Sequence, residues 1–297
     1  MRAMNGEPEN RLPGGGKPPL DGLETGDMPP RRPGKWGPVE IERELRRQRQ
    51  RSLSYDGRVE PVLEHAGVPD TLARQLRTPL PPLRAYDGDP ELVVAADPFG
   101  EPAEVFRDLC IQLATKAVDR KTKVALAVVS PNRRDGKSYL AANLAACLGR
   151  MGGRTLLVDA DLRAPRLHRL LDTEQTDGLS NILRGEGRSS LVQAVQQVPG
   201  LFFLPAGPVP MNPVELLQSP RFNLLVFEML LAFDHLVIDT PAGEWGPDAR
   251  LVAAAAGAAL VVGRKDGSTL EDLRKMLGRM GQQKVEIAGM VINRHDD

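Results

Sequence analysis

Six short apolar runs in the last two thirds of the chain set the strongest limit on its fold. Each run has the length of a strand, and several are continuous rather than alternating, as in strands buried on both faces of a parallel sheet. Segments with a helical pattern separate the runs, so the sequence predicts an α/β protein with a doubly wound, mostly parallel sheet. The predicted strands cover residues 124–129, 155–158, 201–204, 235–238, 258–262 and 287–292.

Composition divides the 297 residues into three regions. Residues 1–38 are rich in Gly and Pro and nearly free of aromatic side chains, so they are predicted to form a largely disordered extension. Residues 39–96 are predicted to form short helices and proline-punctuated linkers. The α/β domain is predicted to cover 97–297, with a first helix over 102–118 that places Val105, Leu109 and Leu113 on its apolar face.

Charge and cysteine content exclude several classes of protein. Lys plus Arg and Asp plus Glu both number 39, and this zero net charge argues against a nucleic-acid binder. Cys110 and Cys147 lie in apolar helical stretches, which is typical of buried thiols in a reducing compartment. No apolar run approaches the roughly 20 residues of a membrane-spanning helix, and no signal peptide is evident, so a cytoplasmic protein is expected.

The loop after the first predicted strand has the residues of a phosphate-binding loop. Strand 124–129 leads into a loop that ends in Gly136-Lys137-Ser138, where a helix begins. Gly136 lets the backbone approach an anion closely, and the amides at the helix start attract phosphate oxygens. Lys137 can reach the β- and γ-phosphates of a nucleotide, and the Ser138 hydroxyl can ligate Mg²⁺.

Two points in this loop stay open on the residues alone. Pro131 stands where the full phosphate-loop pattern has its first glycine, so Gly-Lys-Ser by itself is weak evidence. Arg133 and Arg134 are either solvated loop charges or additional contacts to phosphate.

Three aspartates at the ends of later strands strengthen the prediction. Asp159 and Asp161 follow the strand 155–158, and Asp239 follows the strand 235–238. Ligands of open α/β sheets bind at the carboxyl edge of the strands, so these acids should converge on the loop that carries Lys137. Mg²⁺ prefers oxygen ligands, acting directly or through water. The sequence therefore predicts a site for ATP and Mg²⁺.

The order of these motifs resembles that of the bacterial tyrosine kinases. Ser-Pro-x(4)-Gly-Lys-Ser, Leu-Val-Asp-Ala-Asp-Leu-Arg and Ile-Asp-Thr-Pro look like the family's Walker A, A′ and B motifs, which form a P-loop NTPase of deviant Walker type. More narrowly, they look like the cytoplasmic kinases of exopolysaccharide gene clusters. Members of the family also lack the first Walker A glycine. The segments 204–217 and 289–293 resemble family segments too, so the likeness extends over about 97–293.

The resemblance implies a function and a set of site residues. Family members transfer the γ-phosphate of ATP to tyrosines, with Mg²⁺ bound. By resemblance, Lys137, Asp159 and Asp161 are catalytic, with Asp159 accepting or orienting the attacking hydroxyl, and Ser138, Asp161 and Asp239 hold the metal. Asn293 is implied to lie near the adenine. The complete implied nucleotide-binding set is Asn132, Arg133, Arg134, Asp135, Gly136, Lys137, Ser138, Tyr139 and Asn293.

The family also implies partners. A chain-length-determinant-type inner-membrane polysaccharide protein would recruit the kinase to the inner face of the membrane. Family kinases form rings through a Glu-x-x-Arg-Lys helix, which implies a homo-oligomer. Here Glu104 and Arg107 are present, but Asp108 replaces the lysine and would weaken or reverse that contact.

Departures from the family keep other functions open. The family's C-terminal tyrosine cluster has no counterpart in this sequence, whose tyrosines are Tyr55, Tyr86 and Tyr139. Tyr55 and Tyr86 are candidate acceptors, whereas Tyr139 has the position of a packing residue. One alternative is a ParA/MinD-like ATPase switch, although Asn132 replaces the signature lysine of that class. The other is a non-catalytic nucleotide-binding regulator of a membrane polysaccharide partner.

Overall fold

A computed structural model describes residues 88–119, 124–173, 177–186 and 191–294 of the chain. In these residues a seven-stranded sheet forms in the order β3-β4-β2-β5-β1-β6-β7. The strands are β1 Val124–Val129, β2 Thr155–Asp159, β3 Gln193–Ala194, β4 Leu201–Leu204, β5 His235–Asp239, β6 Ala258–Arg264 and β7 Glu286–Asn293.

Nearly all neighbouring strands run parallel, and only the short β3 is antiparallel to its neighbour β4. The central strand β5 lies between β2 and β1, with Asp239 in register with Asp159 on one side and Val128 on the other. The carboxyl ends of these three strands therefore meet at one edge of the sheet. The predicted doubly wound, mostly parallel α/β fold is confirmed.

Helices cover both faces of the sheet. They are α1 Val93–Ala96, α2 Glu101–Asp119, α3 Lys137–Arg150, α4 Leu167–Leu170, α5 Leu179–Arg184, α6 Pro213–Gln218, α7 Pro220–Ala232, α8 Asp248–Ala256 and α9 Leu270–Gly281, with a 3₁₀ turn at Gly243–Trp245. Successive strand residues point to opposite faces, so Leu126 and Val128 pack with α1 to α4, whereas Ala127 and Val129 pack with α5 to α9. Both faces of the sheet are buried, which explains the continuous apolar runs.

The six predicted strands are all present, with ends that differ by at most two residues from those predicted. The two-residue β3 carries no pattern that would have predicted it. Helix α6 begins at Pro213, and Asn212 before it forms no side-chain hydrogen bond to its amino end. None of the helices in the described ranges is long and apolar enough to cross a bilayer.

The predicted apolar face of the first long helix is wrong at Val105, whose side chain is 66% exposed. Among the residues of α2 whose side chains are described, the predicted Leu113 is buried together with Ala103, Phe106 and Cys110, and Leu109 is partly buried. Steps of three and four residues keep a row of side chains on one face of a helix, whereas repeated steps of four drift around it. Cys110 and its neighbour Cys147 on α3 are buried free thiols, as predicted.

The boundary near Asp97 stays a prediction, and residues just upstream of it also pack onto the described fold. Leu92, Val94 and Ala95 are buried against the helical layer of α2 and α3. The expectations for residues 1–38, and those for 39–96 as far as residue 87, lie outside the described residues.

The register of α2 can be tested with two adjacent substitutions. Phe106→Ala removes a buried ring that packs edge-to-face on Tyr139, with ring centroids 5.8 Å apart, and should lower the free energy of unfolding by about 3–5 kcal/mol. Val105→Ala removes an exposed side chain and should change it by less than about 0.5 kcal/mol. Urea denaturation of both variants measures the difference, and equal losses would contradict the observed register.

Candidate nucleotide-binding site

The loop between β1 and α3 is held in shape by the carboxylate of Asp135, which is 1% exposed. Its Oδ2 accepts a hydrogen bond from the backbone amide of Asn132 at 2.8 Å, within the loop. Its Oδ1 accepts one from the Ser268 hydroxyl at 2.9 Å, and that hydroxyl in turn accepts one from the Arg264 amide at 3.0 Å. Asp135 therefore fastens the loop to the end of β6.

The segment after β5 supports the other side of the loop. The amides of Gly243 and Glu244 donate to the carbonyl oxygens of Ser130 and Pro131, at 2.8 and 3.0 Å. The Thr240 hydroxyl donates to the Val128 carbonyl at 2.7 Å. The loop thus keeps a fixed shape although Pro131 replaces the first glycine of the usual pattern.

Gly136 occupies the tightest position of the loop, at the start of α3. Its φ of 95° is left-handed, a conformation that favours glycine. A Cβ atom at this position would also collide with the side-chain amide of Asn293. That amide donates to the carbonyl oxygen of Asp135 at 3.2 Å. Asn293, predicted to lie near an adenine, thus lies directly against the phosphate loop at the end of β7.

Ser138 and Asp239 form the centre of the site. The Ser138 hydroxyl donates to Oδ2 of Asp239 at 2.6 Å. The other oxygen, Oδ1, is buried and has no hydrogen-bond partner among the described residues. An ionised carboxylate oxygen in such a place needs a cation or a donor. With a hydroxyl beside it, this arrangement fits Mg²⁺, which prefers oxygen ligands and shares its shell with phosphate and water.

Asp159 and Asp161 have different environments. Asp159 is fully buried, and its two oxygens accept hydrogen bonds from the amides of Asp161 at 3.1 Å and Leu167 at 3.3 Å. Asp161 is partly exposed, and its Oδ1 accepts bonds from the amides of Arg163 and Ala164 at 3.2 and 2.9 Å. Asp159 therefore shapes the turn in which Asp161 presents its carboxylate.

A partly buried ion pair holds this turn against the opposite helical layer. The guanidinium of Arg163 donates from Nε and Nη2 to the two oxygens of Asp248 at 2.9 and 3.2 Å. Asp248, in the first turn of α8, is 1% exposed. Such two-point contacts fix geometry as well as charge.

Burial dominates the electrostatics of the two buried aspartates. Loss of solvent raises the pKa of Asp239 to about 6, although the Lys137 ammonium and the Ser138 hydrogen bond oppose the shift. Burial, followed by the charges of Asp239 and Asp161, raises the pKa of Asp159 above its usual value. Lys137 is itself only 8% exposed, and the charge of its ammonium acts on the carboxylate of Asp239.

A cavity of about 980 Å³ opens above the loop. Its volume is at the upper end of the roughly 300–1,000 Å³ usual for small-molecule sites. It brings together eight of the sequence-predicted residues: Arg133, Arg134, Gly136, Lys137, Ser138, Tyr139, Asp161 and Asn293.

Four predicted residues do not line this cavity. In Asp135 and in Asp159, both carboxylate oxygens accept hydrogen bonds inside the protein. Asp239 lies behind Ser138, which lines the cavity and donates a hydrogen bond to it. Asn132 lines a smaller cavity of about 160 Å³ on the other side of the loop, together with Asp272.

The cavity is also lined by residues that were not predicted from the sequence. Arg264 ends β6 at the same sheet edge as the aspartates, so the rule that located those acids could have found it. Arg294 directly follows β7 at the same edge, so that rule could have found it too. The remaining charged residues give no such signal, because they reach the cavity only through the packing of α1 and α4. They are Asp89, Glu91, Arg166 and Arg169.

The raised pKa of Asp239 predicts a pH-dependent effect on stability. A carboxyl whose folded pKa is raised stabilises the fold below its unfolded pKa, and this contribution is lost as the pH rises through about 6. Asp239→Asn should therefore raise the Tm of the nucleotide-free, Mg²⁺-free protein at pH 7.5, and the gain should shrink at pH 5. Asp266→Asn, at a side chain 87% exposed, should change Tm at neither pH. A gain for Asp239→Asn that is equal at both pH values would contradict the assignment.

Comparison with known proteins identifies the domain. Residues 110–297 match the family described as the CobQ/CobB/MinD/ParA nucleotide binding domain. The tyrosine-protein kinase Wzc of Salmonella typhimurium is 33% identical over 204 residues, which are 68% of this chain but 28% of Wzc. The chain therefore spans less than a third of the length of that relative.

Two further proteins match over most of their own length. The tyrosine-protein kinase YwqD of Bacillus subtilis is 31% identical over 204 residues, 68% of this chain and 85% of YwqD. The solved kinase domain of the Escherichia coli tyrosine kinase ETK is 25% identical, with a TM-score of 0.64 over 76% of this chain and 86% of that domain. These matches confirm the resemblance found in the Walker-type motifs. The chain belongs to the bacterial tyrosine kinase family, within the CobQ/CobB/MinD/ParA class of nucleotide-binding domains.

Proposed function

We propose that the domain binds ATP with Mg²⁺ and transfers the γ-phosphate to tyrosine hydroxyls, as a kinase that regulates exopolysaccharide polymerisation and export. The observation that carries this proposal is the buried, unpartnered Oδ1 of Asp239 beside the Ser138 hydroxyl. It lies below a cavity that holds Lys137, whose ammonium can contact phosphate. The polysaccharide role follows the resemblance of the motifs to kinases of exopolysaccharide gene clusters.

Each residue of the site has a distinct role in this proposal. The Lys137 ammonium and the first amides of α3 bind the β- and γ-phosphates. Ser138 and Asp239 hold Mg²⁺, which when bound neutralises charge that develops on the transferred phosphoryl group. Phosphoryl transfer depends mainly on positioning and charge neutralisation, and both are supported by the rigid loop.

The geometry favours Asp161 as the carboxylate that meets the attacking hydroxyl. Asp161 lines the cavity, whereas both oxygens of Asp159 accept backbone hydrogen bonds in the interior. Asp159 is then a positioning residue that orients the turn of Asp161. Asn293 contributes to nucleotide binding from the opposite wall, through its contact with the phosphate loop.

Partners are proposed from the family as well. We expect a cytoplasmic protein recruited to the inner face of the membrane by a chain-length-determinant-type polysaccharide protein. A homo-oligomer built on α2 would use Glu104 and Arg107, which pair with each other on its exposed side. Asp108 there accepts a hydrogen bond from Gln112 at 2.7 Å, so this face is more acidic than the family motif.

Removal of the phosphate-binding ammonium should abolish most of the ATP affinity. Hydrogen bonds to charged groups contribute about 1.5–3 kcal/mol, so Lys137→Ala should weaken ATP–Mg²⁺ binding at least tenfold. Lys275→Ala is the matched control, because that side chain is 60% exposed and pairs with Glu271 on the surface. Isothermal calorimetry measures both variants. Undiminished affinity in Lys137→Ala would refute the site.

The reaction type can be tested with the purified full chain, Mg²⁺, ATP and a copolymer of Glu and Tyr. A kinase should produce phosphotyrosine on protein or copolymer, and chelation of Mg²⁺ should stop it. Mass spectrometry measures phosphotyrosine, and a coupled assay measures released phosphate. Phosphate without phosphotyrosine would instead identify an ATPase switch of the ParA/MinD kind. ATP binding with neither product would identify a non-catalytic regulator.

A further inference from the structure

We propose that Asp248, acting through Arg163, positions the carboxylate of Asp161 for phosphoryl transfer. The inference rests on the proposed kinase function and deepens it, because it assigns to the reaction a positioning residue outside the Walker-type motifs. Asp248 lies in the first turn of α8, 85 residues after Arg163 in the sequence.

The segment that carries Asp161 has no regular secondary structure. Residues 160–166 lie between β2 and α4 and belong to no helix or strand. Their shape therefore depends on individual hydrogen bonds rather than on a backbone ladder. Oδ1 of Asp161 accepts hydrogen bonds from the amides of Arg163 and Ala164 at 3.2 and 2.9 Å. A contact that fixes the backbone of Arg163 consequently fixes the carboxylate of Asp161.

The side chain of Arg163 provides that contact. Its Nε and Nη2 donate to the two oxygens of Asp248 at 2.9 and 3.2 Å. Two parallel bonds from a planar guanidinium determine direction as well as distance. The backbone of Gly246 packs against the pair, since a Cβ atom there would lie 3.2 Å from Oδ2 of Asp248. The Asp248 side chain is only 1% exposed, so the pair is shielded from water on that side and its bonds are stronger than those of a surface pair.

The position of Asp248 is in turn fixed relative to the phosphate loop. It belongs to the segment after β5, and two amides of that segment donate to carbonyl oxygens of the loop. The bonds run from Gly243 to Ser130 at 2.8 Å and from Glu244 to Pro131 at 3.0 Å. A continuous series of contacts thus joins the phosphate loop to the turn of the acceptor-side carboxylate. The ion pair is the part of this series that sets the spacing between the two.

This spacing matters because of the proposed reaction. The tyrosine hydroxyl oxygen forms a bond to the γ-phosphorus of ATP while the bond from that phosphorus to the bridging oxygen breaks. ADP leaves with the bonding electrons, and the phenolic proton passes to the carboxylate of Asp161. A displacement of about 1 Å can lower the rate of such a step roughly a hundredfold. ATP binding depends instead on Lys137 and the first amides of α3, which lie outside the ion pair. Loss of the pair should therefore lower kcat and leave ATP affinity unchanged.

Two variants remove the pair in different ways. Asp248→Asn keeps the size of the side chain but replaces one acceptor oxygen with a donor that faces the guanidinium. The double variant Arg163→Met with Asp248→Leu leaves no uncompensated buried charge, so it retains the fold even where the single variant does not. Glu271→Gln is the matched control, because its side chain is 74% exposed and pairs with Lys275 on the surface.

The full chain with Mg²⁺ and saturating ATP is assayed for phosphotyrosine on the Glu–Tyr copolymer, with calorimetry for ATP affinity and melting curves for folding. We expect Asp248→Asn and the double variant to lower kcat at least about tenfold and to change ATP affinity by less than about threefold. Glu271→Gln should change neither quantity. In an Asp161→Asn background, Asp248→Asn should lower the remaining rate by less than about twofold, because the carboxylate that it positions is absent.

Each opposing result has a distinct meaning. Wild-type kcat in the folded double variant would overturn the inference while the proposed kinase function would stand. So would a loss of ATP affinity as large as the loss of rate, because it would show a general effect on the domain. A further loss of about tenfold or more in the Asp161→Asn background would show that Asp248 does not act through Asp161, and would also overturn the inference. Absence of phosphotyrosine with the wild-type chain would overturn the function and the inference together.

Discussion

Two buried carboxylates at the ends of adjacent strands create the charge around which the site is organised. Asp159 and Asp239 stand in register on β2 and β5, and neither is exposed to solvent by more than 1%. Burial of ionised carboxylates is costly unless donors or cations compensate them. Backbone amides compensate Asp159 and a hydroxyl compensates one oxygen of Asp239. The second oxygen of Asp239 has no hydrogen-bond donor among the described residues. This uncompensated negative charge explains why Lys137 lies nearby and why this edge suits a divalent cation.

The rigidity of the phosphate loop depends on residues far from it in the sequence. Ser268 reaches Asp135 across 133 positions, and Asn293 reaches the same residue across 158. These two hydrogen bonds come from residues at or just after the ends of β6 and β7. The loop therefore acquires its shape only when the parallel sheet is complete. The anion-binding amides are then held in place before a ligand arrives, which lowers the conformational entropy lost on binding.

Local patterns account for what could be predicted from the sequence. The strands were found because each apolar run is buried on both faces, and the residues Lys137, Ser138, Asp161 and Asp239 follow from the rule that ligands bind at the carboxyl edge. The buried side of α2 was misplaced because a spacing of four resembles a helical face over a short stretch. Asp89, Arg166 and Arg169 were out of reach, since only tertiary packing brings them to the cavity.

The two ends of the described domain lie on one rim. Asp89 and Arg294 both line the nucleotide cavity, although more than two hundred residues separate them along the chain. Any sequence joined to either end, whether a neighbouring domain or an affinity tag added in the laboratory, therefore leaves the domain beside the nucleotide.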